Sequence, residues 1–369
     1  MRRFRFSTVA TVAIGTIAFA ACSDEQLPVT AVPDAAGPDA RASTDATTTD
    51  ATISDASSMG ETIGEGGDAK LLDVASTLDS SADAGVDAAA FDGSDGGTDT
   101  ALPDAPTTRS VTLRFKAKVG NADFACGTTY PDQGSTAVRA EARDFRMYVS
   151  NIFLVDNTGN KVPVTLETRS PWQIPGVALL DFEDGTGACA AEGTPEMNDT
   201  ITGTVPAGDY RGIVFSNLVP DSISHGDPLT APAPLQLGAM TWGWLYGFKF
   251  VKAELAAVDP PTGDAAPGLG LLHLGSTGCT NATDGGEDFN APPSVACTTL
   301  NRNEIHLTGF DPATSVIIAD IGALFIDTDL SQDNQCHSEG PACPSLFSAL
   351  GLRYANGAVL PSQTAYRVQ

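Results

Sequence analysis

An all-β domain is predicted for residues 108–369 of this chain, on three observations. Short runs there alternate apolar and polar residues with period two, as a half-buried strand does. Gly, Asn, Asp and Pro punctuate those runs. Helical periodicity shows only briefly, near 321–325 and 344–350. About 260 residues of this kind fit a single β-sandwich or barrel-like domain with disulfide-stapled loops.

The strands follow in order. Residues 111–119 alternate Val, Leu, Phe, Ala and Val with polar neighbours. Similar runs occupy 145–154, 161–168, 177–181, 200–205 and 209–216, then 244–255, 269–274, 304–308 and 315–320. Residues 156–160 read as a hairpin turn, and Pro206, Ala207 and Gly208 as another. Within the aromatic run, Met240, Trp242, Trp244, Tyr246, Phe248 and Phe250 share one parity, so a strand would line them all on one face.

Ahead of this domain the sequence has a different character. Residues 1–21 read as an export signal of the lipoprotein type: Arg2, Arg3 and Arg5, then an apolar run too short to span a bilayer. It ends Phe19-Ala20-Ala21-Cys22, which makes Cys22 the expected lipid acceptor and a lipid anchor the expected membrane attachment. Residues 22–107 are rich in Ala, Asp, Ser, Thr and Gly, with too few large apolar side chains to offset the entropy of ordering. They read as a disordered, self-repelling linker, spanning roughly 50 Å on average. The expected location is the cell envelope, as an outer-membrane lipoprotein or in the periplasm.

The formal net charge is −26. Much of it lies in the linker, where 18 acidic residues face only Arg41 and Lys70. This balance argues against nucleic acid as a partner. Beyond Cys22 there are six cysteines, an even number that reads as disulfides in an exported chain. Sequence order favours Cys126–Cys189, Cys279–Cys297 and Cys336–Cys343, though six cysteines allow other connectivities. No Cys-x-x-Cys is present to favour structural zinc.

Residues able to carry chemistry gather near the aromatic run. Met240 to Phe250 holds two of the three tryptophans of the chain, Trp242 and Trp244. His225 lies upstream in Ser224-His225-Gly226-Asp227-Pro228, and His273 downstream in an apolar run. Imidazole and thioether donors suit copper, which makes His225, His273 and Met240 the candidate ligands. His306 should face solvent, between inward-pointing Ile305 and Leu307, and His337 sits in a small disulfide loop. The acidic stretch 327–334 lacks the glycine and terminal glutamate of an EF-hand, so calcium is not expected there. No nucleophile–base motif, phosphate loop or Cys-x-x-Cys-His haem site occurs, and the chain is not expected to be an enzyme.

An ordered set of motifs then resembles the MbnP-like family, also called metallo-mystery pair or four-Cys motif proteins. The matching residues include Asp144-Phe145-Arg146-Met147-Tyr148, Asp181-Phe182-Glu183, Ser224-His225-Gly226-Asp227-Pro228 and Met240-Thr241-Trp242-Gly243-Trp244. They continue through Gly247-Phe248-Lys249-Phe250, His273-Leu274-Gly275-Ser276-Thr277-Gly278-Cys279, Cys297-Thr298-Thr299-Leu300-Asn301-Arg302 and Cys336 to Cys343. The resemblance implies a periplasmic or surface copper-binding protein whose partner is a diheme cytochrome c peroxidase of the MauG type. It also implies oxidation of a tryptophan, here Trp242 or Trp244, to a kynurenine-type product. That product would join His225, His273 and Met240 around Cu(I). Leu245 stands where the family commonly has glutamine, and Phe248 where it commonly has tyrosine. The competing expectation is a structural or adhesive surface β-domain on a stalk, without metal.

Overall fold

The computed structural model describes residues 107–259, 267–282 and 286–369. The expected export signal, the expected lipid acceptor Cys22 and the expected linker, up to residue 106, lie outside the described residues. Among the described residues no helix is long and apolar enough to cross a membrane.

The domain is a two-layer β-sandwich. In the first sheet the order is Tyr366–Val368, Val316–Asp320, Thr108–Val119, Thr200–Pro206 and Thr165–Leu166. The second is organised around one long strand, Val138–Asp156. Its main path runs Ile305–Thr308, Tyr210–Ser216, Val138–Asp156, Val251–Ala257, Leu269–Leu274 and Asn334–Cys336. Val177–Asp181 also pairs with the long strand. Phe115 of the first sheet meets Phe215 of the second edge to face, with ring centroids 5.7 Å apart. Tyr366 closes on Phe215 at 5.3 Å in the same geometry. Alternation explains the first strand well: Val111, Leu113, Phe115, Ala117 and Val119 are all buried, while their neighbours are not.

Most expected elements are present. The 161–168 run divides into Lys161–Pro163 and Thr165–Leu166, which pair with different sheets. The two brief helices expected form as Ile321–Leu324 and Cys343–Ala349, and a third, Asp221–Ser224, was not expected. Cys126–Cys189, Cys279–Cys297 and Cys336–Cys343 are the three disulfides, as sequence order favours.

One expected strand is corrected. The 244–255 run becomes a strand only at Val251. Before it comes the short helical turn Gly238–Met240, then a tight arc in which Thr241 bridges Phe248. The Trp242 amide donates to the Gly247 carbonyl at 3.0 Å, and the Gly247 amide to the Gly243 carbonyl at 2.9 Å. Gly243 and Gly247 sit at φ +92° and +73°, left-handed values that glycine adopts at little cost. These two residues break the period of two, so equal parity no longer means one face. Met240, Phe248 and Phe250 are buried in the core, whereas Trp242, Trp244 and Tyr246 remain half-buried.

Candidate metal centre

The site starts from one strand pair. Val251–Ala257 and Leu269–Leu274 run antiparallel, placing Lys252 opposite His273 and Val251 opposite Leu274. On the far side of Val251–Ala257, Arg146 of the long strand lies opposite Lys252, and Asp144 opposite Glu254. Asp181 lies opposite Arg146. His273, Lys252, Arg146 and Asp181 therefore form a row across four strands on one sheet face, with Glu254 and Asp144 beside it.

Every member of that row is buried. The Lys252 ammonium contacts Asp144 at 2.5 Å, Glu192 at 2.7 Å and Glu254 at 3.3 Å. The Arg146 guanidinium donates to both Asp144 oxygens and lies 3.3 Å from Glu183. Burial alone would lower the Lys252 pKa, but Asp144 and Glu254 outweigh it and raise it. Burial would raise the Glu254 carboxyl, yet the His273 hydrogen bond and the Lys252 charge hold it down at about 2. Asp181 goes the other way: burial, only partly offset by Arg146, pushes it up to about 8.

His273 ends this row. Its Nε2 lies 2.8 Å from Glu254 Oε1. Its Nδ1 is buried and has no hydrogen-bond partner. Burial pushes the His273 pKa down, against the pull of Glu254 and with the help of Lys249, which favours the neutral ring. The parallel pairing of Leu272 with Cys336 brings the next residues of both strands side by side, His273 and His337. The two imidazole centroids are 5.0 Å apart, edge to face. His337 is also pushed toward neutrality, by burial and then by Lys249.

Trp242 completes the cluster. Its ring centroid is 6.3 Å from that of His273. A Cβ on Gly275, two residues beyond His273, would fall 2.4 Å from the indole Cζ3, so only glycine lets the ring lie this close. The Lys249 ammonium stands 5.9 Å from the same ring and donates to the Ala239 carbonyl. Trp242 and His337 share the wall of an open cavity of about 450 Å³ with Tyr246, Cys279, Glu287 and Glu339. At its edge the Tyr246 hydroxyl donates to Glu287 at 3.1 Å.

The other expected site residues are placed differently. His225 directs Nδ1 at the Trp244 carbonyl, 3.0 Å away, so that nitrogen carries the proton in the neutral ring. Its Nε2 lies 3.5 Å from Cys297 Sγ. Cys279 and Cys297 are bonded to each other, so neither offers a thiolate, and the cluster they form with His225 contains one usable donor. His225 packs under Gly247, whose Cβ would meet its Cε1 at 3.2 Å, and so touches the tryptophan arc from another side. Among the described residues the nitrogens of His225, His273 and His337 do not converge within 4.8 Å. Met240 is fully buried in the hydrophobic core. Phe248 packs edge-on against Tyr148 and Leu245 is fully buried, so both residues serve packing here. His306 faces solvent, as expected, beside Glu304.

The sequence and the fold match a known family. A family model described as MbnP matches residues 108–338. The chain belongs to the MbnP family. A solved structure, MbnP from Methylosinus trichosporium, is similar at 30% identity with a TM-score of 0.60. The likeness covers 71% of this chain and 98% of that one. Comparison with curated proteins finds no match.

Two features of this MbnP-family domain escaped the reading of its sequence. His337 became a neighbour of His273 only through the parallel pairing of distant strands, which no local pattern announces. Glu254 was not singled out, because its partner lies on another strand. The donor set fits a soft metal cation in one respect that can be checked: neutral imidazoles, one with a buried nitrogen free of any partner.

Proposed function

We propose that this protein is an exported copper-binding protein whose metal site lies at the Trp242 arc, with His273 as the central ligand. The partnerless Nδ1 of His273, beside His337 and Trp242 in an MbnP-family domain, is the observation that carries the reading. A buried nitrogen lone pair without a partner is costly, by about 1–3 kcal/mol, and a bound cation relieves that cost. His337 is the second nitrogen, and His225 the third candidate from across the arc.

Trp242 is the indole that sits against this centre, and Trp244 supplies the carbonyl that orients His225. The finer proposal is that a diheme cytochrome c peroxidase of the MauG type oxidises Trp242 to a kynurenine-type residue. Copper, when bound, would supply a soft one-electron centre, and this chain would supply neutral imidazoles and a walled cavity. The three disulfides fit an oxidising compartment such as the periplasm or outer cell surface. Lipidation at Cys22 would tether the domain there.

Intact mass and metal content of the protein, produced with and without such a peroxidase, test this reading. The expected result is one copper per chain and a mass change on a peptide containing Trp242. His273→Ala should abolish stoichiometric copper, and His337→Ala and His225→Ala should reduce it. Unmodified tryptophans together with no copper above background would leave a structural surface domain as the better account.

A further inference from the structure

The ionic row has more groups than charge balance at Lys252 requires. Lys252 already meets Asp144 at 2.5 Å and Glu192 at 2.7 Å. Glu254 adds a third carboxylate, and its Oε1 also faces His273 Nε2 at 2.8 Å. An ionised carboxylate has only acceptor sites, so the nitrogen facing it must be the one that carries hydrogen. In a neutral imidazole the remaining nitrogen then holds a lone pair. That nitrogen, Nδ1, is the one left buried without a partner.

His225 offers the contrast. Its Nδ1 faces a backbone carbonyl, so there the proton is held at Nδ1 and the lone pair at Nε2. The fold thus fixes opposite tautomers in the two rings, each through the acceptor set against it. His273 differs in that its acceptor is itself fixed. Lys252 lies directly across the strand pair and touches the same Glu254 oxygen. Lys252 is in turn held by Asp144 of the neighbouring strand, which Arg146 of that same strand clamps.

We propose that Glu254 is a positioning residue: it locks His273 in the Nε2–H tautomer, so that Nδ1 is the atom presented to a soft metal cation. Lys252 keeps the carboxylate in place, and the Asp144–Arg146 pair keeps Lys252 in place. The proposal deepens the copper reading and rests on it for the identity of the cation, although the tautomer itself is a property of the metal-free chain. Outer partners of this type commonly alter metal affinity by about 10–100-fold when removed.

The test uses the full chain with 15N-labelled histidine. Long-range 1H–15N correlation spectra of the metal-free protein report the tautomer of each ring, and a chelator competition with Cu(I) under anaerobic conditions reports affinity. Three proteins are compared: the unsubstituted chain, Glu254→Gln and Glu254→Leu. The unsubstituted chain should show His273 as Nε2–H and His225 as Nδ1–H. Glu254→Gln keeps an acceptor oxygen and should retain the His273 tautomer with a small loss of affinity. Glu254→Leu should release the tautomer and weaken Cu(I) about tenfold or more, with His225 unchanged. Finding His273 as Nδ1–H in the unsubstituted chain overturns the proposal, even if Glu254→Leu fails to fold. An unchanged tautomer and affinity in Glu254→Leu overturns it as well. If the tautomers are as stated but Cu(I) does not bind, the copper reading falls and the positioning of His273 stands.

Discussion

Across the paired strands Val251–Ala257 and Leu269–Leu274, one face carries Val251, Ala253, Leu255, Leu272 and Leu274, all fully buried in the sandwich core. The opposite face carries Lys252, Glu254 and His273, with Asp144, Arg146 and Asp181 continuing the row on neighbouring strands. Both faces are largely withdrawn from water, by different means, although a cavity opens beside Glu254 on the charged one. The apolar face lies in the hydrophobic core, where Phe325 and Leu330 come against it at Gly270. The charged face is covered by a segment that contributes Glu183 and Glu192 and is anchored at Cys189 by the disulfide to Cys126. The lesson is that alternation reveals which residues share a face and says little about whether the polar face meets solvent. A charged face that is buried becomes a fixed array of donors and acceptors, and here that array ends on a histidine.

Substitutions on the two faces should separate these roles. The largest effect is expected from Arg146→Ala, which leaves buried Glu183 without its cation and Asp144 with Lys252 alone. Equilibrium unfolding should show a loss of about 3–5 kcal/mol. A loss under about 1 kcal/mol would mean that water reaches this face, and the contrast would collapse. On the apolar face, Leu272→Ala should cost about 3 kcal/mol through the cavity it leaves. It should also leave Cu(I) affinity nearly unchanged, because its side chain points away from His273.

Asp181 sharpens the comparison through pH. In the fold it keeps its proton up to about pH 8, because burial outweighs Arg146, whereas its ordinary value is 3.8. Between those limits the folded state holds a proton that the unfolded chain releases, so this group makes stability fall as pH rises. Asp181→Asn removes that slope, and its advantage in Tm should grow from pH 4 to pH 8. A constant difference across that window would show that Asp181 is ionised in the fold. The smallest effect is expected outside both faces. Lys161 and Glu304 pair at 2.8 Å with both side chains well exposed. Lys161→Ala should change stability by less than about 1 kcal/mol and should fade with added salt.

Much of the sandwich was legible in the chain because alternation and turn residues are local signals. The burial of Val111, Leu113, Phe115, Ala117 and Val119 on one face follows directly from their spacing. The disulfides were legible for a similar reason, each joining cysteines adjacent in the order of the six. The site was legible only as an inventory. Trp242 and His273 were identifiable as residue types with the right chemistry, but their contact depends on the absent side chain of Gly275. The aromatic stretch misled because Gly243 and Gly247 turn the chain where parity alone would carry it straight. His337 and Glu254 were invisible as site residues, since strand register sets both neighbours of His273 and register is a long-range property.

The central claim is that His273 is the residue on which copper binding turns. Anaerobic Cu(I) titration of His273→Ala beside His306→Ala tests it most directly, with thermal unfolding measured on both. His306 is exposed and paired only with a surface carboxylate, so its loss controls for histidine content. The expected result is at least about a tenfold weakening for His273→Ala and none for His306→Ala, with both variants folded. Equal copper affinity in the two variants would contradict the account.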